Sequence, residues 1–301
     1  MSARKMHADE LDIDVPLVRR LLAAQLPEWA ALPVERVSSA GTVNAIFRLG
    51  DHMAVRLPRV ERWAGGLEKE LRWLPELAPQ LPLAVPEPLA KGSPGQGYPW
   101  PWAVFRWLEG ETWSVDRVGD LPAAAAELAQ FVSALQRIDI GGRPSGLRGG
   151  RGVPLAERDL EMRAAIEASR GLLDTDAVTA AWDAALEVPV WDGPPVWVHG
   201  DLLPGNVLVA RGRLSAVIDW GSLSVGDPAC ELMAGWTLFA GESRDVFRAA
   251  VSADDATWAR ARGWALSVAV IALPYYQGTN PVFAANARLW IAEVLADYAS
   301  R

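Results

Sequence analysis

Two carboxylates and one carboxamide stand at the spacings a phosphoryl-transfer site requires. Asp201 and Asn206 lie five positions apart in Val196-Trp-Val-His-Gly-Asp-Leu-Leu-Pro-Gly-Asn-Val-Leu-Val209, and Asp219 follows thirteen positions later in Ala216-Val-Ile-Asp-Trp220. Transfer from a nucleotide spreads negative charge over the moving group, so catalysis consists of positioning and cation neutralisation rather than covalent bonding to protein. Magnesium suits that task, because it takes hard oxygen ligands and uses only one or two carboxylates from a protein. Asp219 and the amide oxygen of Asn206 would supply those ligands. Asp201 is left to accept a hydrogen bond from the acceptor hydroxyl and orient it for in-line attack. Taken singly, each residue has a plainer reading: an Asp near a turn caps it, and Asn-Val after Pro-Gly opens a hairpin. The set, flanked by the apolar runs 196–198, 207–209 and 217–218, is what points to chemistry.

The order Asp, Asn five residues on, then a further acid matches the protein-kinase signature. His199-Gly-Asp-Leu-Leu-Pro-Gly-Asn206 with Ile218-Asp-Trp220 resembles the aminoglycoside phosphotransferase family, small-molecule kinases that share the protein-kinase fold. The resemblance runs from about Val34 to the C-terminus and implies an O-phosphotransferase using ATP or GTP with Mg2+. By that resemblance Asp201 is the catalytic base, Asn206 and Asp219 are the magnesium ligands, and His199 is a structural loop residue. Asp227-Pro228 is similar to the family's Gly-Asp-Pro segment, which implies that Asp227 holds the catalytic loop.

The chain has 301 residues, half of them hydrophobic, enough for a sizeable core. Its net charge of −8 and isoelectric point near 5.1 exclude a sequence-independent grip on nucleic-acid phosphates. An acidic surface would favour a cationic substrate, although acidity of this size also serves solubility. The single cysteine, Cys230, cannot form an internal disulfide and suits a reducing compartment. The polar segment 1–14 lacks the apolar region of a secretory signal, and the longest apolar run, 264–274, is half of a bilayer span. These readings predict a cytoplasmic protein with no membrane or nucleic-acid partner, a monomer or homodimer acting on a small hydroxylated molecule.

The elements that must position the three residues follow from periodicity. Residues 16–31 read as a packing helix, 34–49 as two strands around the turn 38–44, and 52–57 as a third strand. The turn holds one glycine, Gly41; its hydroxyls and amides, with Ser39, Thr42 and Asn44, would bind phosphate oxygens. Arg56 occupies the place of a kinase's phosphate-contacting lysine, and its planar fork is not equivalent to an ammonium group. On the predicted helix 66–77, the register with Leu71 and Leu74 selects Glu70 as the acid that pairs this cation. Strands at 83–90 and 100–107 flank a turn at 91–97, and 105–110 resembles a linker between lobes, so Phe105, Trp107 and Leu108 are the expected purine contacts.

From residue 121 onward the pattern turns helical, with helices at 122–138, within 154–185, and at 229–239, 254–272 and 284–298. A solvated Gly/Arg-rich loop spans 141–152. The expected fold class is α+β, a two-lobed protein-kinase-like fold. Its N-terminal lobe, residues 1–107, is a small antiparallel sheet with one main helix; residues 108–301 form a mostly helical lobe with the catalytic loop. The family resemblance places acceptor contacts among Glu157, Asp159, Glu161, Glu242, Asp245, Tyr275 and Tyr276. The function expected is transfer of the γ-phosphate of ATP or GTP to a hydroxyl of an aminoglycoside- or macrolide-type antibiotic or similar metabolite. Alternatives are a nucleotide-binding pseudokinase or scaffold, suggested by Arg56 and the glycine-poor turn, and a metabolite kinase of the choline or homoserine type. A protein kinase is disfavoured, because the Asp-Phe-Gly and Ala-Pro-Glu segments are absent and Asp219 to Glu231 leaves little room for an activation loop.

Overall fold

The computed structural model describes residues 10–37, 43–141, 147 and 150–299. The chain divides into two compact units: one runs through Gly110 and takes in Ser215–Gly221, and the other comprises Glu111–Leu214 and the chain from Ser222 on.

The first unit begins with α1 (Val15–Gln25), whose Asp14 carboxylate accepts the Leu17 N–H at 2.8 Å and whose Pro16 sits in the first turn. The helix stops well short of residue 31. Leu26 precedes Pro27 and is driven out of helical space (φ −137°, ψ 63°), so only a 3-10 turn, Pro27–Trp29, follows. Strands β1 (Val34–Arg36), β2 (Asn44–Leu49) and β3 (Met53–Pro58) come next, then α2 (Ala64–Leu77), β4 (Pro88–Gly92) and β5 (Trp102–Arg106). They form one antiparallel sheet in the order β1-β2-β3-β5-β4. In β3, Arg56 pairs with Ile46 on one side and Ala103 on the other.

The inner face of α1, Leu17, Val18, Leu21 and Leu22, packs with Phe47, Val55, Tyr98 and Trp102 into one core. Lys91 and Gly92, expected in a turn, extend β4 instead. Gly92 lies opposite Trp102, and a Cβ there would sit 2.0 Å from the indole, so glycine lets the ring cross the strand. Segment Ser215–Gly221 is tied into the unit by Ala84, which donates to Ser215 O at 3.3 Å and accepts from Val217 N at 2.9 Å.

The second unit is mostly helical. After the short strand β6 (Glu111–Thr112) comes α3 (Leu121–Arg137), capped by Asp120 on Ala123 N, then α4 (Asp159–Ala168) and α5 (Thr175–Leu186). Strand β7 (Val196–Val198) leads into the loop 199–206, the expected catalytic loop, and β8 (Val207–Ala210) leads out of it. Strand β9 (Arg213–Val217) carries the chain into the first unit, and β10 (Ser224–Gly226) returns to pair antiparallel with β7. Strands β6, β8 and β9 form a second sheet in that order.

The helix expected over 229–239 is a 3-10 run, Pro228–Met233, followed by the single turn α6 (Ala234–Thr237). Helix α7 (Gly241–Ala250), absent from the sequence reading, is largely polar and buries Ser243 and Phe247, one turn apart on one face. Helices α8 (Asp255–Tyr276) and α9 (Pro281–Ala299) complete the unit. The antiparallel sheet followed by a mostly helical remainder is the α+β architecture expected. Among the described residues, no helix is long and apolar enough to cross a membrane.

Candidate active site

The catalytic loop leaves β7 at His199, which is fully buried and whose Nδ1 accepts the Asp201 N–H at 3.2 Å. Gly200 has φ +81°, and a Cβ on it would lie 2.6 Å from Arg151 Cβ and Cγ. The loop closes on itself through Asn206. Its amide nitrogen donates to Asp201 O at 2.9 Å and to Asp201 Oδ2 at 2.8 Å. The Asn206 amide nitrogen is thereby engaged by one residue, through its carbonyl and its carboxylate. Asp201 Oδ1 is held differently: Arg151 Nη2 approaches to 3.4 Å, and the side chain stays partly exposed.

Below the loop sits Glu231, fully buried, whose Oε1 accepts the Gly200 N–H at 2.6 Å; the His199 N–H also bonds to this carboxylate. Burial pushes its carboxyl up to about 7. The Gly200 and His199 amides and Arg151 pull the other way, while Asp201 adds to the rise. Asp227 was expected to grip the catalytic loop. Its carboxylate instead caps the 3-10 run at Ala229 N (2.9 Å) and pairs with Arg260 (Nε to Oδ2, 2.7 Å). Glu231, on the 3-10 run after Pro228, is the residue whose carboxylate meets the Gly200 N–H.

In the first unit, Arg56 donates to both oxygens of Glu70, at 2.7 and 3.1 Å, and reaches Asp219 Oδ1 at 3.6 Å. Glu70 is inward because it shares the buried face of α2 with Leu67 and Leu74; its neighbour Glu68 is exposed and pairs with Lys91. Burial alone would lower the Arg56 pKa, but Glu70 and Asp219 outweigh it and hold the guanidinium above its ordinary value. Burial, with Asp219, raises the Glu70 carboxyl against the pull of Arg56 and the Trp220 N–H. Asp219 adopts φ +64°, the left-handed region that a non-glycine residue enters only when held there. Trp220, buried beside it, anchors the turn by donating Nε1–H to Val217 O at 3.0 Å.

Among the other expected nucleotide contacts, Ser39 and Thr42 lie outside the described residues. Asn44 opens β2 nearly buried, with its Oδ1 lacking a partner. Phe105 is a core ring 5.0 Å from the Arg56 guanidinium, and its strand is paired on both sides, so it offers side-chain packing rather than free backbone. Trp107 lies under Arg48 at 4.1 Å and donates its amide to His52 O, while its indole N–H is buried without a partner. Leu108 is half-buried.

The expected acceptor contacts separate. Asp159 accepts from Trp182 Nε1 on α5 at 2.8 Å and pairs with Arg163, and Glu161 pairs with Arg158 just before α4. The Trp182 hydrogen bond, followed by Arg163, holds the Asp159 carboxyl below the usual range against slight burial. Glu157 lies on the wall of a cavity of about 430 Å³ lined also by Leu155, Val188, Trp191, Asp227 and Arg260. Glu242 and Asp245 are exposed on α7. Tyr275 and Tyr276 stack edge to face at 4.8 Å at the end of α8, Tyr275 half exposed.

Arg151, Glu231 and Arg260 went unnoticed in the sequence. For Glu231 the signal was a lone acid inside the apolar run 228–233. Among the described residues, no cluster of three His, Cys, Asp or Glu side chains is suited to a metal. Asn206 in the second unit and Asp219 in the first each carry a side-chain oxygen of the hard kind magnesium takes.

The profile of the phosphotransferase enzyme family (APH) matches residues 34–264. No curated protein matches the chain in a sequence comparison. Among solved structures, the GDP complex of wild-type aminoglycoside 2'-phosphotransferase-IIIa is 20% identical with a TM-score of 0.74, covering 95% of this chain and 100% of that one. Macrolide 2'-phosphotransferase MphH from Brachybacterium faecium is 22% identical at a TM-score of 0.60, covering 93% and 98%. The streptomycin-ATP ternary complex of APH(2'')-IIa is 17% identical at 0.59, covering 87% and 91%. At these identities the likeness carries the fold.

Proposed function

The chain belongs to the phosphotransferase enzyme family, and we propose that it transfers the γ-phosphoryl group of ATP or GTP, with magnesium, to a hydroxyl of a small molecule of the aminoglycoside or macrolide type. The observation that carries this reading is the fixed orientation of Asp201. Asn206 holds Oδ2 and Arg151 approaches Oδ1, while the side chain stays partly exposed, which suits it to accept a hydroxyl proton. In the transfer, the acceptor oxygen–phosphorus bond forms as the bond to the leaving nucleoside diphosphate breaks, and the hydroxyl proton passes to Asp201. Asn206 and Asp219 would hold magnesium, which when bound neutralises charge on the triphosphate. Arg56, tensioned between Glu70 and Asp219, presents a cation toward the nucleotide phosphates. The known relatives support the nucleotide and acceptor classes: the structures with which the chain shares its fold include complexes with GDP and with ATP, and enzymes for aminoglycosides and macrolides.

The test is phosphate transfer from labelled ATP and GTP to kanamycin, gentamicin, streptomycin and a macrolide. For an accepted compound, Asp201→Ala should lower kcat by about 10²–10⁴ while leaving nucleotide affinity intact. Unchanged turnover in that variant, or no acceptor phosphorylated by the wild-type protein, would sink the proposal.

A further inference from the structure

We propose that Arg151 is a catalytic residue of this transfer, a cation supplied by the chain itself that holds an oxygen of the phosphoryl group as it passes to the acceptor. The inference rests on the phosphotransferase reading and deepens it. Arg151 Nη2 faces Oδ1 of Asp201 at 3.4 Å, while Asn206 binds the other oxygen, Oδ2. Its other terminal nitrogen, Nη1, is buried and has no hydrogen-bond partner among the described residues. A buried charged donor left unpaired is costly, and native proteins keep one where a ligand completes it.

The backbone delivers the side chain to that place. Gly150 and Gly152, on either side, take φ of +81° and +77°. The Arg151 carbonyl accepts the Ser224 hydroxyl at 2.8 Å, and the Gly152 carbonyl accepts the Asp227 N–H at 2.8 Å. The stem of Arg151 fills the space above Gly200 that a Cβ would otherwise occupy. With main chain and stem pinned, the guanidinium fork stays beside the carboxylate that receives the proton. Arg56 cannot take this role freely, because Glu70 engages its fork from two sides. An oxygen accepted by Nη1 would belong to a group adjacent to Asp201 Oδ1, and in the proposed reaction that group is the phosphoryl under transfer. Arg151 makes and breaks no covalent bond; its charge offsets that on the equatorial oxygens, the part an arginine in cis plays in other phosphoryl transfers.

The experiment uses intrinsic hydrolysis of ATP and GTP with magnesium, read for the wild type, Arg151→Ala and Arg151→Lys, together with ADP and GDP affinity and Tm. Arg151→Ala is expected to lose about 10³-fold in kcat. Diphosphate affinity should hold, since ADP and GDP lack the transferred group, and Arg151→Lys, which keeps the stem over Gly200 and a cation beside Asp201, should keep the wild-type Tm. Added guanidinium at millimolar concentration should restore part of the rate, and Arg151→Lys should fall between. A kcat within about threefold of wild type overturns the proposal. So does a loss that guanidinium leaves untouched and that both variants share along with a lowered Tm, since that pattern belongs to a structural ion pair. If the wild-type protein hydrolyses neither nucleotide and phosphorylates no acceptor, the phosphotransferase reading falls first and Arg151 with it.

Discussion

Replacing Glu231 by Gln isolates one buried ionisation beneath the catalytic loop. The carboxyl ordinarily titrates at 4.5 and is pushed by burial up to about 7 in the folded chain. Between those values the folded protein keeps a proton that the unfolded chain has lost. The resulting stability is fully present below pH 4.5 and is lost as pH rises through about 7. A gap of that width corresponds to about 3 kcal/mol. No discount for solvent screening applies, because Glu231 has no exposure.

Gln keeps the acceptor for the Gly200 N–H and places an amide where Oε2 has no partner. It removes the titration and little else. Urea unfolding followed by tryptophan fluorescence, at pH steps from 4.5 to 8.5, gives both stabilities; the wild-type minus Glu231→Gln difference cancels every other titrating group. That difference should fall by about 3 kcal/mol as pH rises to 8 and be flat beyond. Parallel curves would refute the raised pKa. A difference that grows with pH would mean that the two backbone amides and Arg151 outweigh burial, and that the carboxylate is the form the fold prefers.

Two further outcomes follow from packing and charge. Glu70→Ala leaves the Arg56 guanidinium buried with only the longer 3.6 Å contact to Asp219, so it should cost about 3 kcal/mol in urea unfolding. Retention of wild-type stability would show that the Arg56–Glu70 pair is not buried. In Gly226→Ala, the new Cβ would lie 2.1 Å from the Gly152 carbonyl oxygen, the atom that accepts the Asp227 N–H. Overpacking at that strand should lower stability by about 2 kcal/mol, and a Tm equal to wild type would contradict the close approach.

How much of this could be read from sequence depends on how local the cause is. Glu70 was legible against Glu68 because helix period alone assigns them to different faces, and the buried Leu67 and Leu74 mark the inner one. The first three antiparallel strands of the first unit were legible because alternation and turn residues are near neighbours in sequence. Glu231 required knowing that 228–233 winds as a 3-10 helix; read as an α-helix, the apolar stretch hides which residue points at Gly200. Arg151 sat in a Gly/Arg-rich stretch whose composition reads as solvated loop. What fixes it is remote, the Ser224 hydroxyl 73 residues away and the glycine at position 200. The pairing of Asp227 is hidden from the sequence in the same way, since its partner Arg260 is 33 residues distant on another helix.

The departure at position 56 is best understood through the company the site's acids keep. The buried carboxylates Glu10, Glu70 and Asp227 each pair with an arginine, and Asp201 meets Arg151. Lysine is scarce: of the 29 basic residues, Lys5, Lys69 and Lys91 are the lysines. An ammonium group is a point charge that burial readily neutralises; burial does lower the pKa of Lys69. A guanidinium keeps its charge when buried and can address two partners at once. Arg56 does so, bidentate on Glu70 while Nη2 also faces Asp219. A lysine in β3 would have to choose between those acids. The arginine therefore couples the position of α2, through Glu70, to that of Asp219 within the same unit, and substitution by lysine would loosen this coupling even though the charge is conserved.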